Sequence, residues 1–308
     1  MRSCFVLFLM LFAQVAIAAP PTPGLYYDRT REGHGLDLQV VGDRVVGTLF
    51  TFAADGQPYW YLIDGSWAGD GGSLELIEIH YRPGTIPPMT LAARFPGARM
   101  QRSADAASCG NGSARPGADT LYDFSFRIDG EDLRWCLEAI LPASDLPQSA
   151  LSGSWYAGDG DDGWGLISYL FGAADSVLSF HTLYVYDSDG RPRWAYAATP
   201  VADTDLEPEF QFARGYCRSC PTQTLQPTSA GNARVVLVTP RNDVDFNRIR
   251  LDLAYPFGVG GPFQRSDRPL RILTASSRPA AVAAVREGLL VGTPLADGST
   301  RFLGVPFV

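Results

Sequence analysis

The chain has 308 residues, with 33 acidic against 25 basic side chains and a net charge of −8. Every basic residue is arginine, and an acidic, lysine-free chain lacks the basic footprint of non-specific nucleic-acid binding, so no nucleic-acid partner is expected. No segment after residue 18 reaches the roughly 18 uninterrupted apolar residues that a spanning helix needs, which predicts no membrane span.

Arg2, the apolar run Phe5 to Phe12 and the small-residue pattern Ala16-Ile17-Ala18 read together as a secretory signal peptide over residues 1–18. The remainder is enough for two domains at roughly 150 residues each. An internal repeat supports that division. Gly24, Tyr26, Tyr27, Gly33, Gly35, Asp55-Gly56, Pro58 and Trp60 recur as Gly153, Trp155, Tyr156, Gly163, Gly165, Asp189-Gly190, Pro192 and Trp194. The predicted domains are 22–142 and 151–274, joined by Pro142 to Pro147, with a different segment over 275–308.

In the first copy, Leu36 to Val40 alternates, Val45 to Phe52 is β-branched and aromatic, and Tyr59 to Leu62 follows Asp55-Gly56. An Asp-Gly pair between two such runs signals a hairpin, in the two-residue form where both central residues take positive φ. Leu74 to Ile79, Leu121 to Ile128 and Leu133 to Ile140 also read as strands. Pro83 to Pro88 reads as a loop, as does Arg102 to Asp119, pinned by Cys109. In the second copy, Val177 to Tyr186, Trp194 to Tyr196, Val235 to Thr239 and Ile249 to Tyr255 are the predicted strands, and Gly258 to Pro262 is a bend. The small-residue stretch Ala280 to Ala284 reads as a spacer, and Val285 to Val308 as two short strands across a turn at Asp297-Gly298. The period is two throughout, which predicts an all-β protein: two tandem antiparallel barrels or sandwiches and a short C-terminal hairpin stub.

Four cysteines lie outside the signal peptide. An even number in an exported chain suggests disulfides, here Cys109–Cys136 and Cys217–Cys220. The C-x-x-C spacing also fits half a zinc site or a redox pair, but no second ligand pair and no βαβ pattern accompany it.

The repeated pattern, G-x-W-[YF], then G-x-G, then an aromatic strand and [FY]-x-x-D-G-x-P-x-W, resembles a repeat of exported proteins in Gram-negative bacteria. Tyr26 departs from it, standing where tryptophan is preferred. The resemblance implies an exported β-domain, secreted or periplasmic, and brings no activity with it. The tail resembles the amino-terminal start of type-B carboxylesterases. It matches at Gly288, Gly292, Arg301-Phe302 and Gly304-Val305-Pro306-Phe307, with Val308 where alanine is usual. In that family the nucleophile and its partners lie downstream of this point.

No catalytic constellation is legible in the chain. G-x-S-x-G is absent, Pro227-Thr228-Ser229-Ala230-Gly231 lacking its first glycine. His34, His80 and His181 read as structural or surface, because triad chemistry also needs a nucleophile and an orienting group, and His34 aligns with Trp164 in the second copy. Asp159, Asp161, Asp162, Asp187 and Asp189 resemble calcium loops, but turn chemistry explains them first and no cofactor or metal is expected. The aromatic hairpins are the functional lead. Successive aromatics on a strand cannot all face one core, so Tyr59, Trp60, Tyr61, Trp164, Arg193 and Trp194 form a candidate binding surface, with core packing as the competing role for Trp60 and Trp155. The leading expectation is an exported non-catalytic binding module for a glycan or a cell-envelope partner. The alternatives are the accessory front of a carboxylesterase and a rigid spacer.

Overall fold

The computed structural model describes residues 20–41, 43–82, 89–110, 120–140, 153–157, 163–173, 176–200, 205–236, 247–253, 263–275, 288–294 and 300–306. The signal peptide, the Pro83–Pro88 loop, the linker at 142–147, Asp159 to Asp162, the bend at 258–262, the 280–284 spacer and the turn at Asp297-Gly298 lie outside them. No described residue is helical.

Eight strands, β1 (Gly24–Tyr27), β2 (Gly35–Val41), β3 (Arg44–Phe52), β4 (Pro58–Ala68), β5 (Gly71–Tyr81), β6 (Met89–Ser103), β7 (Leu121–Ile128) and β8 (Glu131–Ala139), pair in chain order, and β8 returns to β1 to close a barrel. Eight strands leave an interior that side chains can fill. Alternate residues supply them: Leu36 and Leu38, Leu49, Tyr61 and Ile63, Phe124 and Phe126, with Trp135 fully buried among them.

The second sheet contains β9 (Gly153–Tyr156), β10 (Gly165–Ala173), β11 (Ser176–Tyr186), β12 (Pro192–Pro200), β13 (Asp205–Leu206), β14 (Glu209–Arg214), β15 (Gln226–Val236), β16 (Asn247–Leu253) and β17 (Phe263–Ala275). β16 pairs with both β15 and β17, and β17 with β9, so the ladders run from β9 round to β9 again, with β13 a two-residue spur on β15. Its registers reproduce those of the first barrel. Tyr27 lies opposite Gly35 and Tyr156 opposite Gly165; Gly35 lies opposite Phe50 and Gly165 opposite Tyr184; Phe52 lies opposite Pro58 and Tyr186 opposite Pro192. At the C-terminal end β18 (Gly288–Pro294) and β19 (Thr300–Pro306) pair as a separate hairpin.

Two expectations change. The Asp55-Gly56 and Asp189-Gly190 hairpins are three-residue turns: Gly56 N–H donates to Ala53, Gly190 N–H to Asp187, and only the glycines have positive φ. This is a turn followed by a left-handed glycine, not the two-residue form. That form occurs at Asp129-Gly130, where both residues have positive φ and Ile128 pairs with Glu131. The second change is that strands also form where none was predicted, β6, β10, β13, β14 and β17 among them. β6 contains Pro96 and a left-handed Gly97, pairs through two register shifts, and buries fully only Ala98 and Met100, so its alternation is weak in the sequence.

Cys109–Cys136 and Cys217–Cys220 pair as disulfides. The first ties the segment after β6 to β8, and the second closes a tight loop between β14 and β15.

Candidate functional site

All six residues of the predicted binding surface are buried, the most accessible being Tyr59 at 8% exposure. The aromatic faces of the two sheets turn towards each other. Trp60 and Trp194 occupy the same place in the repeat, and their bonds are reciprocal. Trp60 Nε1–H donates to the Val185 carbonyl (3.3 Å) and Trp194 Nε1–H to the Thr51 carbonyl (2.9 Å), Thr51 and Val185 being themselves equivalent. The rings repeat this symmetry. Phe50 stacks on its own equivalent, Tyr184, at 5.5 Å. Phe50 meets Trp194 at 5.9 Å and Tyr184 meets Trp60 at 5.7 Å, while Phe52 with Trp194 and Tyr186 with Trp60 both lie at 5.5 Å. This is an isologous contact, in which one patch meets a copy of itself, made within one chain.

The backbone continues the pattern. Tyr81 N–H donates to Gly190 O (2.9 Å) and Gly215 N–H to Gly56 O (3.0 Å). A Cβ on Gly190 would lie 1.9 Å from the Tyr81 carbonyl oxygen, and one on Gly56 2.6 Å from that of Gly215. Each hairpin glycine therefore provides both the turn conformation and the close approach.

The remaining candidates have defined structural partners. Tyr59 and Tyr61 belong to the first barrel's core, and Arg193 lies 5.7 Å from the Tyr59 ring while pairing with Asp187 at 2.6 Å. Asp187 Oδ1 also accepts the N–H groups of Asp189 and Arg191, so its oxygens serve the turn. Arg218, from the Cys217–Cys220 loop, donates to Tyr61 Oη (2.9 Å) and pairs with Asp129, fixing that loop onto the first barrel. Trp164 packs against Phe263 in the second sheet's core.

One carboxylate is enclosed in the seam. Asp37 on β2 accepts bonds from Tyr169 on β10, from Gln39 (3.2 Å) and from Ser154 on β9 (3.4 Å). Burial pushes its pKa up to about 6, against the opposing pull of the Tyr169, Gln39 and Ser154 hydrogen bonds.

The two sheets also differ on their enclosed faces. In the first barrel a cross-strand row reads Leu38, Gly47, Ile63; in the second sheet the matching row reads Ser168, His181, Ala197. The next row changes from Leu36, Leu49, Tyr61 to Leu166, Leu183, Ala195. Ser168 and His181 are at most 1% exposed, and among the described residues Ser168 Oγ and His181 Nδ1 have no hydrogen-bond partner. His181 Nε2 lies 3.1 Å from Ser179 Oγ, which itself donates to the Thr199 carbonyl. The serine proton is thus committed, Nε2 carries the histidine proton, and Nδ1 presents a lone pair. Burial lowers the His181 pKa to about 4, keeping the ring neutral near pH 7.

In the sequence His181 reads as structural or surface, because no nucleophile and orienting group accompany it. The signal lay in the difference between copies, since Gly47 becomes histidine while its neighbours lose bulk. His34 is likewise buried, its Nδ1 bonded to Thr51 (2.8 Å), and burial with Arg31 and Arg218 nearby lowers its pKa to about 3. His80 is partly exposed and bonds Glu78 (2.6 Å). Among the described residues no group of three or more metal-ligating side chains occurs. Searches of protein-family models, curated proteins and solved structures return no match to the chain.

Two outcomes follow from the seam. Trp194→Ala removes about 3–5 kcal/mol of stability. Trp60→Ala costs a similar amount, and the double variant costs less than the sum because the two indoles pack on the two members of one stacked pair, Trp194 on Phe50 and Trp60 on Tyr184. Urea titration of the three variants measures this. Asp37 takes up a proton on folding, so its contribution is most favourable below pH 4 and is lost as pH rises through about 6. Asp37→Asn is therefore more stable than the wild type at pH 7.5, and the difference shrinks towards pH 4; thermal melts across that range give the sign.

Proposed function

We propose that the chain is an exported, non-catalytic binding protein, built as two tandem antiparallel barrels over 22–142 and 151–274 with a hairpin stub over 275–308. The first barrel is the structural partner and the second holds the ligand. The observation that carries this reading is the contrast between matching rows: Leu38, Gly47 and Ile63 offer no polar side chain, while Ser168 and His181 face each other with Oγ and Nδ1 unpartnered among the described residues, where the first barrel's interior has only the unpartnered Trp135 Nε1 and His34 Nε2 outside that row. Buried polar groups are costly unless paired, by roughly 1–3 kcal/mol each, so two together on an enclosed face favour a bound partner molecule. The ring of pairings from β9 to β17 and the repeated registers support the tandem-barrel description. A cell-envelope molecule fits better than a polysaccharide, because the aromatics that would form an open sugar platform, Trp60 and Trp194, are buried in the seam.

A second reading rests on the tail. β18 and β19 pair from Gly288 opposite Pro306 to Pro294 opposite Thr300, a hairpin of the kind with which the carboxylesterase resemblance begins. In that reading the barrels are the accessory front of an esterase.

One preparation addresses both. Protein purified from the exported fraction of its host is weighed intact and extracted with organic solvent for mass spectrometry. The binding reading predicts an extracted compound in near-stoichiometric amount, absent from denatured controls, and a chain ending at Val308. A blank extract together with no thermal stabilisation by envelope extracts would sink it, and a mass continuing past Val308 would favour the esterase reading.

A further inference from the structure

The aromatic seam is its own complement, so by itself it does not choose a partner. Thr51 answers to Val185, Phe50 to Tyr184 and Trp60 to Trp194. A first half facing another first half would therefore keep both indole-to-carbonyl bonds and the ring stack. One polar group in the seam breaks this symmetry. From it we infer that Asp37, Tyr169 and Ser154 make the seam selective: a first half pairs with a second half, in its own chain or in a second copy of it, and two like halves are rejected.

The ladders fix which positions correspond. Leu25 lies opposite Asp37 between β1 and β2, and Ser154 lies opposite Ile167 between β9 and β10. Leu25, Asp37 and Gln39 thus answer to Ser154, Ile167 and Tyr169. All six are on the seam side of their sheets. Leu25, Ile167 and Tyr169 belong to the seam cluster, and Asp37, Gln39 and Ser154 bond across it.

The polar atoms are shared out unequally between the halves. The first half supplies the acceptor, the Asp37 carboxylate. The second supplies two hydroxyl donors, Tyr169 to Asp37 Oδ1 and Ser154 to Oδ2 (3.4 Å). Gln39 Nε2–H donates to Tyr169 Oη (2.8 Å), so these two equivalent positions also meet as unlike groups.

Like pairing breaks each match. Two first faces would bring two Asp37 carboxylates together, with leucine in place of serine and glutamine in place of tyrosine. Two second faces would set the Tyr169 and Ser154 hydroxyls against Ile167, with no carboxylate to receive them. A buried polar group left unmatched loses more than a matched one gains, so the penalty falls on like pairs while the aromatic contacts are common to all. A polar group inside an apolar contact confers selectivity in this way at some cost in stability. That cost is visible here, since burial raises the Asp37 pKa to about 6. The selectivity holds whether or not the second barrel carries a ligand.

The test uses the full chain with a protease site within Pro142–Pro147, cut after folding, and follows association of the two pieces through a dilution series at neutral pH. Leu25→Ser, Asp37→Ile and Gln39→Tyr together give both pieces the second type of face. Ser154→Leu, Ile167→Asp and Tyr169→Gln together give both the first type. Either set alone is expected to weaken association roughly a hundredfold, and the two sets combined to restore it to within about tenfold of the wild type. Association within about threefold of the wild type for either set alone overturns the inference, as does a combined variant no tighter than the single sets. Should a set prevent folding by near-ultraviolet circular dichroism, urea titration of the intact chain carrying Asp37→Leu, Tyr169→Phe or both decides. Each single change is expected to lower stability, and the pair to cost clearly less than the sum, because an apolar pair leaves neither position unmatched. Additive losses overturn the inference.

Discussion

Two indole N–H groups, each donated to a backbone carbonyl across the seam, set the arrangement of the molecule. Trp60 and Trp194 are both buried in the cluster between the sheets, and each indole N–H needs one acceptor when buried. The acceptors are the carbonyls of Val185 and Thr51, which lie on outward-facing strands of the opposite sheet. Satisfying both indoles at once requires the sheets to meet about an approximate two-fold axis, and the stacked Phe50–Tyr184 pair sits on it. The hairpin glycines then come close enough for Gly56 and Gly190 to bond the opposite backbone.

A self-complementary patch of this kind is the usual contact of a two-fold dimer. Here both copies of the patch are on one chain, so the contact is intramolecular and its stability does not depend on concentration. The arrangement also frees the two interiors to differ. The seam constrains only outward-facing positions, whereas alternate residues on the same strands face inward. Ile167 and Tyr169 face the seam on β10, and Ser168 between them faces the interior. One interior can remain a filled core while the other exchanges packing for polar groups, as the Leu38–Gly47–Ile63 and Ser168–His181–Ala197 rows do.

The sequence revealed the all-β class, the repeat and most strands of the first copy, because alternation and Asp-Gly turns are local signals. It missed β6, whose inner positions are mostly half-buried, and in the second copy it missed β10, β13, β14 and β17. It also misread the role of the aromatic hairpins. Period two identifies a side chain as facing outward but not what it faces, so an aromatic outer face reads equally as a ligand platform or as a contact surface. The fact that both copies carry the same face was the available clue, since a surface that must cover itself appears on both partners. Trp60 and Tyr59 show the split clearly: neighbours in sequence, one packs into the seam and the other into the barrel. His181 was legible only by subtraction, as the residue that replaces Gly47 in an inner row that differs at all three positions between the copies.

The central claim is that the aromatic seam itself holds the two halves together, with the connecting chain needed only for proximity. A protease site placed within the Pro142–Pro147 segment of the full chain allows that connection to be cut after folding. The account predicts that the cleaved halves co-elute at the size of the intact protein in size-exclusion chromatography at micromolar concentration, and that they separate when Trp60 and Trp194 are both alanine. Two folded halves eluting independently with both tryptophans in place would contradict it.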